Sequence, residues 1–221
     1  EFIRILYCYP EEMDDELIET IAAESKVCKY LDIPIQHACN RILGRMGRKT
    51  SKEELISTIH KLRERIPDIC LRTTLITGFP GETAKEHKEL MEFVKEMRFD
   101  RLGVFTYSRE EDTPAANMKG QIPEFIKKQR QKQLMKLQQK IAFEKAEQTV
   151  GKTLSVLIEG ALPEEGVYVG RCYKDAPNVD GYVFVNADRS LMTGDFVTVK
   201  ITGSSQYDLI GEITDENEFT E

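Results

Sequence analysis

Ile69-Cys70-Leu71-Arg72-Thr73-Thr74-Leu75-Ile76-Thr77-Gly78-Phe79-Pro80-Gly81-Glu82-Thr83 is a strand pattern running into a turn. Residues 69–77 are mostly β-branched or apolar, the composition of a β-strand. Gly78 and Gly81 end the run. Thr83 with Glu86 then forms a capping-box pattern, in which each residue satisfies an otherwise unpaired amide of the other and a helix opens. Leu90, Phe93, Val94 and Met97 recur at helical spacing and give that helix a buried stripe. A strand, a glycine-rich turn and an amphipathic helix in this order form one βα unit.

The same unit repeats on either side. Strand patterns at 2–7, 30–35 and 101–107 alternate with helical ones. One helical pattern is capped by Ser51 with Glu54 and buries Leu55, Ile59, Leu62 and Ile66. Such alternation predicts parallel βαβ units, here an α/β partial barrel, because four units are too few to close one. A long helix is predicted over 121–149, with Pro123 in its first turn, apolar Ile126, Leu134, Leu137 and Ile141, and a basic face read as solvated. From Lys152 the texture changes to short strands of period two at 153–159, 167–172, 181–185, 196–203 and 209–213, the signature of a small all-β barrel of OB-like size. The expected domains are 1–146 and 147–221, ending in a frayed acidic run at Asp215-Glu216-Asn217-Glu218. A strand pattern beginning at Phe2, behind Glu1 rather than methionine, reads as part of a longer protein.

The net charge of −7 is unevenly spread: from Glu147 onward there are 14 acidic and 5 basic residues, which leaves 24 acidic and 26 basic before it. Such a tail repels phosphate and favours a basic protein partner. No apolar run approaches the roughly 20 residues that cross a bilayer, and no basic-then-apolar leader opens the sequence, so the expectation is a cytoplasmic protein without a membrane partner. Cys8, Cys28, Cys39, Cys70 and Cys172 have no C-x-x-C spacing and read as reduced, mostly buried thiols, with no metal site.

In parallel α/β architectures ligands sit at the carboxyl ends of the strands. There the glycine turn lets backbone amides approach a polar ligand, although a purely structural turn reads equally well, and no Gly-Lys-Ser/Thr makes it a phosphate loop. Gln36 and His37 follow the second strand, with Arg41, Arg45 and Arg48 behind them as possible carboxylate partners. Arg4 and Tyr7 belong to the first strand; Phe105, Tyr107, Ser108 and Arg109 to the fourth. His60 and His87 fall in helical patterns and read as surface residues. Residue types and spacing give a polar mouth but no reaction.

Four segments in order go further. They are Arg4-Ile5-Leu6-Tyr7-Cys8-Tyr9-Pro10; Tyr30-Leu31-Asp32-Ile33-Pro34-Ile35-Gln36-His37 with Met46-Gly47-Arg48; 72–83; and 103–115. Together they resemble the methylthiotransferase branch of the radical S-adenosylmethionine family, and residues from about 147 resemble its TRAM domain. The Leu-Tyr-Cys-Tyr-Pro run and the Gln36-His37 pair resemble the RimO type, which modifies an aspartate of protein twelve of the small ribosomal subunit.

The resemblance implies the last four strands of a six-stranded partial barrel. It implies S-adenosylmethionine and, in the full-length enzyme, two 4Fe-4S clusters whose ligands this chain lacks, so that the chain alone is inactive. By position, Gly78, Phe79, Gly81 and Glu82 would shape the adenosyl side of the site. Gln36 and Arg48 would meet the ribose or the methionine carboxylate, and Phe105 or Tyr107 would flank the adenine. Arg4, Tyr7 and His37 would lie on the substrate side, with a structural role for His37 equally open. The implied partner is a basic ribosomal protein bound through the acidic TRAM domain; electron and sulfur donors stay unassigned. Two other readings stand beside it. One is a tRNA methylthiotransferase of the same family, using a basic patch of Lys152, Arg171, Lys174 and Lys200; the other is a non-catalytic binding module.

Overall fold

In the computed structural model, which describes residues 2–162 and 166–214, the expected central strand forms as β3 (Cys70–Thr77). It lies between β2 (Val27–Asp32) and β4 (Arg101–Thr106), and β1 (Ile3–Ile5) pairs with β2 on the far side. Among the described residues these make a four-stranded parallel sheet in the order β1-β2-β3-β4. Both capping boxes are present: Ser51 with Glu54 opens α3 (Lys52–Arg65), and Thr83 with Glu86 opens α4 (Ala84–Met97). The helix α1 (Asp15–Ala23) fills the helical stretch expected between the first two strands, and a short α2 (Asn40–Arg45) precedes α3; Asp14 caps α1 through the Leu17 amide.

The predicted apolar stripes are the core. Leu55, Ile59 and Leu62 of α3 and Leu90, Phe93 and Val94 of α4 are buried against Leu31, Leu71 and Leu75 of the sheet. Each such side chain contributes about 1.5–3 kcal/mol by leaving water. β2 starts and stops earlier than the 30–35 pattern suggests. Pro34, which has no amide hydrogen, follows its end. β1 is likewise shorter than 2–7, and Tyr7 beyond its end adopts a left-handed φ of 60°.

Packing divides the chain into two compact units, Ile3–Ile141 and Ala142 onward, so the division falls within α5 (Glu124–Glu147). In the second unit β5 (Thr153–Leu162), β6 (Val167–Arg171), β7 (Val183–Asn186), β8 (Phe196–Ser205) and β9 (Asp208–Ile213) form a closed barrel in the order β5-β6-β7-β9-β8. Closure leaves no free edge. Val156, Val183, Val185, Val199 and Ile201 fill its interior. The acidic run from Asp215 lies outside the described residues.

Gly211 lets β8 and β9 approach closely: a Cβ there would lie 2.6 Å from the Lys200 carbonyl oxygen and 2.5 Å from Val199 Cγ1. Backbone cannot yield as a flexible side chain can, so Gly211→Ala is expected to lower stability by about 1–3 kcal/mol. Urea unfolding monitored on the barrel checks this; an unchanged midpoint would mean that the strands separate freely enough to take a methyl group.

Candidate functional site

At the carboxyl ends of β2, β3 and β4 the first unit holds a cavity of about 410 Å³, within the range of small-molecule sites of roughly 300–1,000 Å³. Its wall is mainly apolar and aromatic. Phe79 follows β3 and Tyr107 follows β4; both rings are buried and meet edge to face, with centroids 5.2 Å apart. Phe105 stands at the rim, 61% exposed. Gln36 enters from the end of β2 in a left-handed conformation of φ 67°. Its amide donates to the Thr74 carbonyl (2.9 Å) and its carbonyl accepts from the Ile76 amide (2.8 Å), so pairing with β3 holds a backbone that a non-glycine residue seldom adopts. Arg45 supplies a positive charge, its Nε donating to the Pro80 carbonyl at 3.2 Å.

Behind the cavity the 78–83 turn is built around the carboxylate of Glu82, whose side chain has no solvent exposure. One oxygen, Oε2, accepts from the Gly78 amide and lies 3.0 Å from Arg130 Nη1; Arg130 also donates to the Glu82 carbonyl at 3.0 Å. The other, Oε1, faces His37 Nε2 at 3.5 Å and His87 Nδ1 at 3.6 Å. His37 Nδ1 accepts the Cys39 amide hydrogen (2.9 Å), which directs the proton of a neutral ring to Nε2, toward Glu82. Burial pushes the Glu82 carboxyl up. The facing imidazoles and the Arg130 guanidinium outweigh that and hold its pKa at about 2. A second carboxylate locks the helix start: Glu86 takes both hydrogens of the Thr83 cap and two from Arg41 at 2.6 and 2.7 Å, and Arg41 holds it well below the usual carboxylate range. Arg41 also donates to the Gly81 carbonyl (2.7 Å).

The structure therefore separates the sequence candidates. Gln36, Phe79, Phe105 and Tyr107 line the cavity. Gly78, Gly81 and Glu82 form the turn behind it, and Glu82 points inward rather than at a ligand. Arg48 is not in the wall: its Nη2 donates to the Pro34 carbonyl (2.8 Å) and its guanidinium covers the Tyr9 ring. Arg45, three residues earlier, is there instead. His37 is wholly buried in this chain, with Nε2 toward Glu82. Arg4 stacks over the Tyr30 ring, and Tyr7 is 73% exposed. His87, read as a surface residue, is buried and 2.9 Å from Gln133 Oε1. The supposedly solvated basic face of α5 sends Lys127 and Arg130 inward, because the carbonyls and carboxylate they satisfy come from strand ends and turns far away in sequence. In the second unit Arg171 is buried, pairs with Glu159 at 2.7 Å and leaves the proposed basic patch.

An aromatic, mostly apolar wall that also carries the Gln36 amide, the Arg45 guanidinium, the Glu110 carboxylate and the hydroxyls of Thr106, Ser108 and Thr113 suits a planar heterocycle carrying polar substituents. The buried Tyr107 hydroxyl, with no hydrogen-bond partner among the described residues, offers a further polar contact. These residues fit a nucleoside such as the adenosyl group of S-adenosylmethionine. They do not fit an iron–sulfur cluster: among the described residues no three His, Cys, Asp or Glu side chains gather to hold a metal, and Cys28, Cys39, Cys70 and Cys172 are buried. Among the described residues no helix is long and apolar enough to cross a membrane.

Comparison with known proteins gives matches to the Radical SAM superfamily over residues 1–94 and to the TRAM domain over residues 150–214. The chain is 62% identical, over 96% of its length, to the ribosomal protein uS12 methylthiotransferase RimO of Lachnoclostridium phytofermentans, of which it covers 48%. It is 54% identical to the protein of that name in Desulfitobacterium hafniense and 51% identical to that in Clostridium novyi, again covering 48% of each. The chain thus spans about half the length of the relatives it matches. Among solved structures, coproporphyrinogen III oxidase (HemN) of Escherichia coli, a radical SAM enzyme, matches 68% of this chain and 34% of its own with a TM-score of 0.50 and 21% identity, a likeness of fold.

Proposed function

We propose that this chain, with its Radical SAM and TRAM matches and its likeness to RimO proteins, forms the carboxy-terminal half of a radical S-adenosylmethionine methylthiotransferase of the RimO type, which methylthiolates an aspartate of ribosomal protein uS12. The observation that carries this reading is the 62% identity to a uS12 methylthiotransferase over 96% of the chain. The cavity supports it: Phe79, Phe105 and Tyr107 would hold the adenine, Gln36 the ribose and Arg45 a carboxylate. S-adenosylmethionine, when bound with a cluster held outside this chain, would supply the radical chemistry. The residues here bind and orient the nucleoside and exclude water from one side of it. The acidic surplus after Glu147 supports a basic protein partner over RNA.

Mass spectrometry of ribosomal proteins and tRNA, after anaerobic incubation with the cluster-loaded full-length enzyme, S-adenosylmethionine, sulfide and reductant, tests the proposal. A methylthio increment on uS12 is expected. An increment on tRNA alone would move the enzyme to the sister branch, and none on either would sink the enzymatic reading. The 221-residue chain by itself is expected to give no increment on any substrate, since none of its described side chains is arranged to hold a cluster.

A further inference from the structure

We propose that Lys127 is a positioning residue for the cavity: from α5 it clamps the ends of β3 and β4 together, so that Phe79 and Tyr107 keep the edge-to-face geometry of the wall. This deepens the reading that the cavity takes a nucleoside, and so rests on it.

Lys127 is buried, although lysine is among the residues least often found inside. Its Nζ donates to the Tyr107 carbonyl at 2.7 Å and lies 5.2 Å from the centroid of the Tyr107 ring, within cation–π range. Glu124, one turn earlier, approaches it at 3.4 Å from the more exposed side. The methylene stem fills the space left by Gly78: a Cβ on that glycine would collide with Lys127 Cγ and lie 3.0 Å from its Cβ. One side chain therefore touches both segments from which the cavity rings emerge, the β3 end by its stem and the β4 end by its charge. The Tyr107 amide, donating to the Thr77 carbonyl at 2.9 Å, closes the remaining side of the triangle.

Lys127 itself is not in the cavity wall, so its effect on a ligand passes through Tyr107 and Phe79. An ammonium parted from the Tyr107 carbonyl would keep only the half-exposed Glu124 carboxylate as a charged partner, and a carbonyl left without the ammonium would be an unsatisfied acceptor. Each penalises any excursion that parts the two strand ends.

The test uses the full-length, cluster-loaded protein, with Lys127→Met, which keeps the stem and removes the charge, and Lys127→Arg, which restores a charged donor. Amide hydrogen exchange at Gly78, Phe79, Gly81, Glu82 and Tyr107 is expected to accelerate about tenfold in the Met variant, with global protection elsewhere in the first unit little changed. The dissociation constant for S-adenosylmethionine, measured by calorimetry, is expected to rise about tenfold, equivalent to about 1.4 kcal/mol. The Arg variant should recover most of both. Unaltered exchange, or faster exchange with unaltered affinity, would overturn the proposal. So would faster exchange spread evenly over the unit, which is what mere loss of stability gives. Should the Met variant fail to fold, Lys127→Gln is read by the same two quantities. If the unsubstituted protein shows no affinity for S-adenosylmethionine, the nucleoside reading falls, and the exchange at those amides alone decides whether Lys127 positions the strand ends.

Discussion

Leucine in place of Glu82 is expected to destabilise the first unit by about 3–5 kcal/mol, the usual consequence of removing one partner of a buried ion pair. The size follows from what the carboxylate leaves behind. Arg130 would keep a single contact, to the residue's carbonyl, with its charge uncompensated; the Gly78 amide would lose its acceptor, and two imidazoles would face hydrocarbon. Urea unfolding of the first unit measures it, and a loss under about 1 kcal/mol would mean that water enters to replace the carboxylate.

The pH dependence carries the same argument. The Glu82 pKa is depressed to about 2 in the folded protein from an ordinary value of 4.5, so its contribution to stability is fully present above about 4.5 and disappears as the pH falls through 2. The difference in unfolding free energy between the unsubstituted protein and Glu82→Gln should therefore shrink as the pH is lowered from 5 toward 2. A constant difference over that window would show that the carboxylate titrates normally and that its surroundings do not favour its charge.

Much of this frame was legible because local chemistry and tertiary structure agree in it. Ser51 with Glu54 and Thr83 with Glu86 are short-range devices complete within four residues, and both form. The period of Leu90, Phe93, Val94 and Met97 states which face is buried. The strands of the barrel alternate as a closed sheet requires. What the sequence hid is polar and long-range. Lys127, Arg130, His87 and Gln138 occupy helical positions that read as solvated, yet each is drawn inward by a partner 20 to 48 residues away. No periodicity reports a carbonyl at a strand end. The left-handed conformations of Tyr7 and Gln36 were equally invisible, since neither residue type announces a positive φ as glycine does. Which arginine lines the cavity was hidden for a similar reason: Arg45 and Arg48 are equivalent in composition, and only the path of the chain at the end of α2 directs one to the cavity and the other to Pro34.

Alanine at Gly78 is expected to cost about 2–5 kcal/mol and to lower nucleoside affinity, through two separable effects. The first is backbone: φ is +74° there, a left-handed conformation that costs a residue with a Cβ about 1–2 kcal/mol. The second is steric. The added carbon meets Lys127 at its Cβ and Cγ, near the rigid root of the side chain rather than at its flexible end, so α5 must shift or the turn must open; overpacking of this kind adds about 1–3 kcal/mol. A double-mutant cycle with Lys127→Ala separates them. Alanine at 127 removes Cγ and Cδ and leaves only the Cβ, 3.0 Å away, so Gly78→Ala in that background should cost little more than the backbone part, and the two substitutions should be less damaging together than their sum. Strict additivity would mean that the turn and α5 do not press on one another, and that the glycine is required there for its backbone alone.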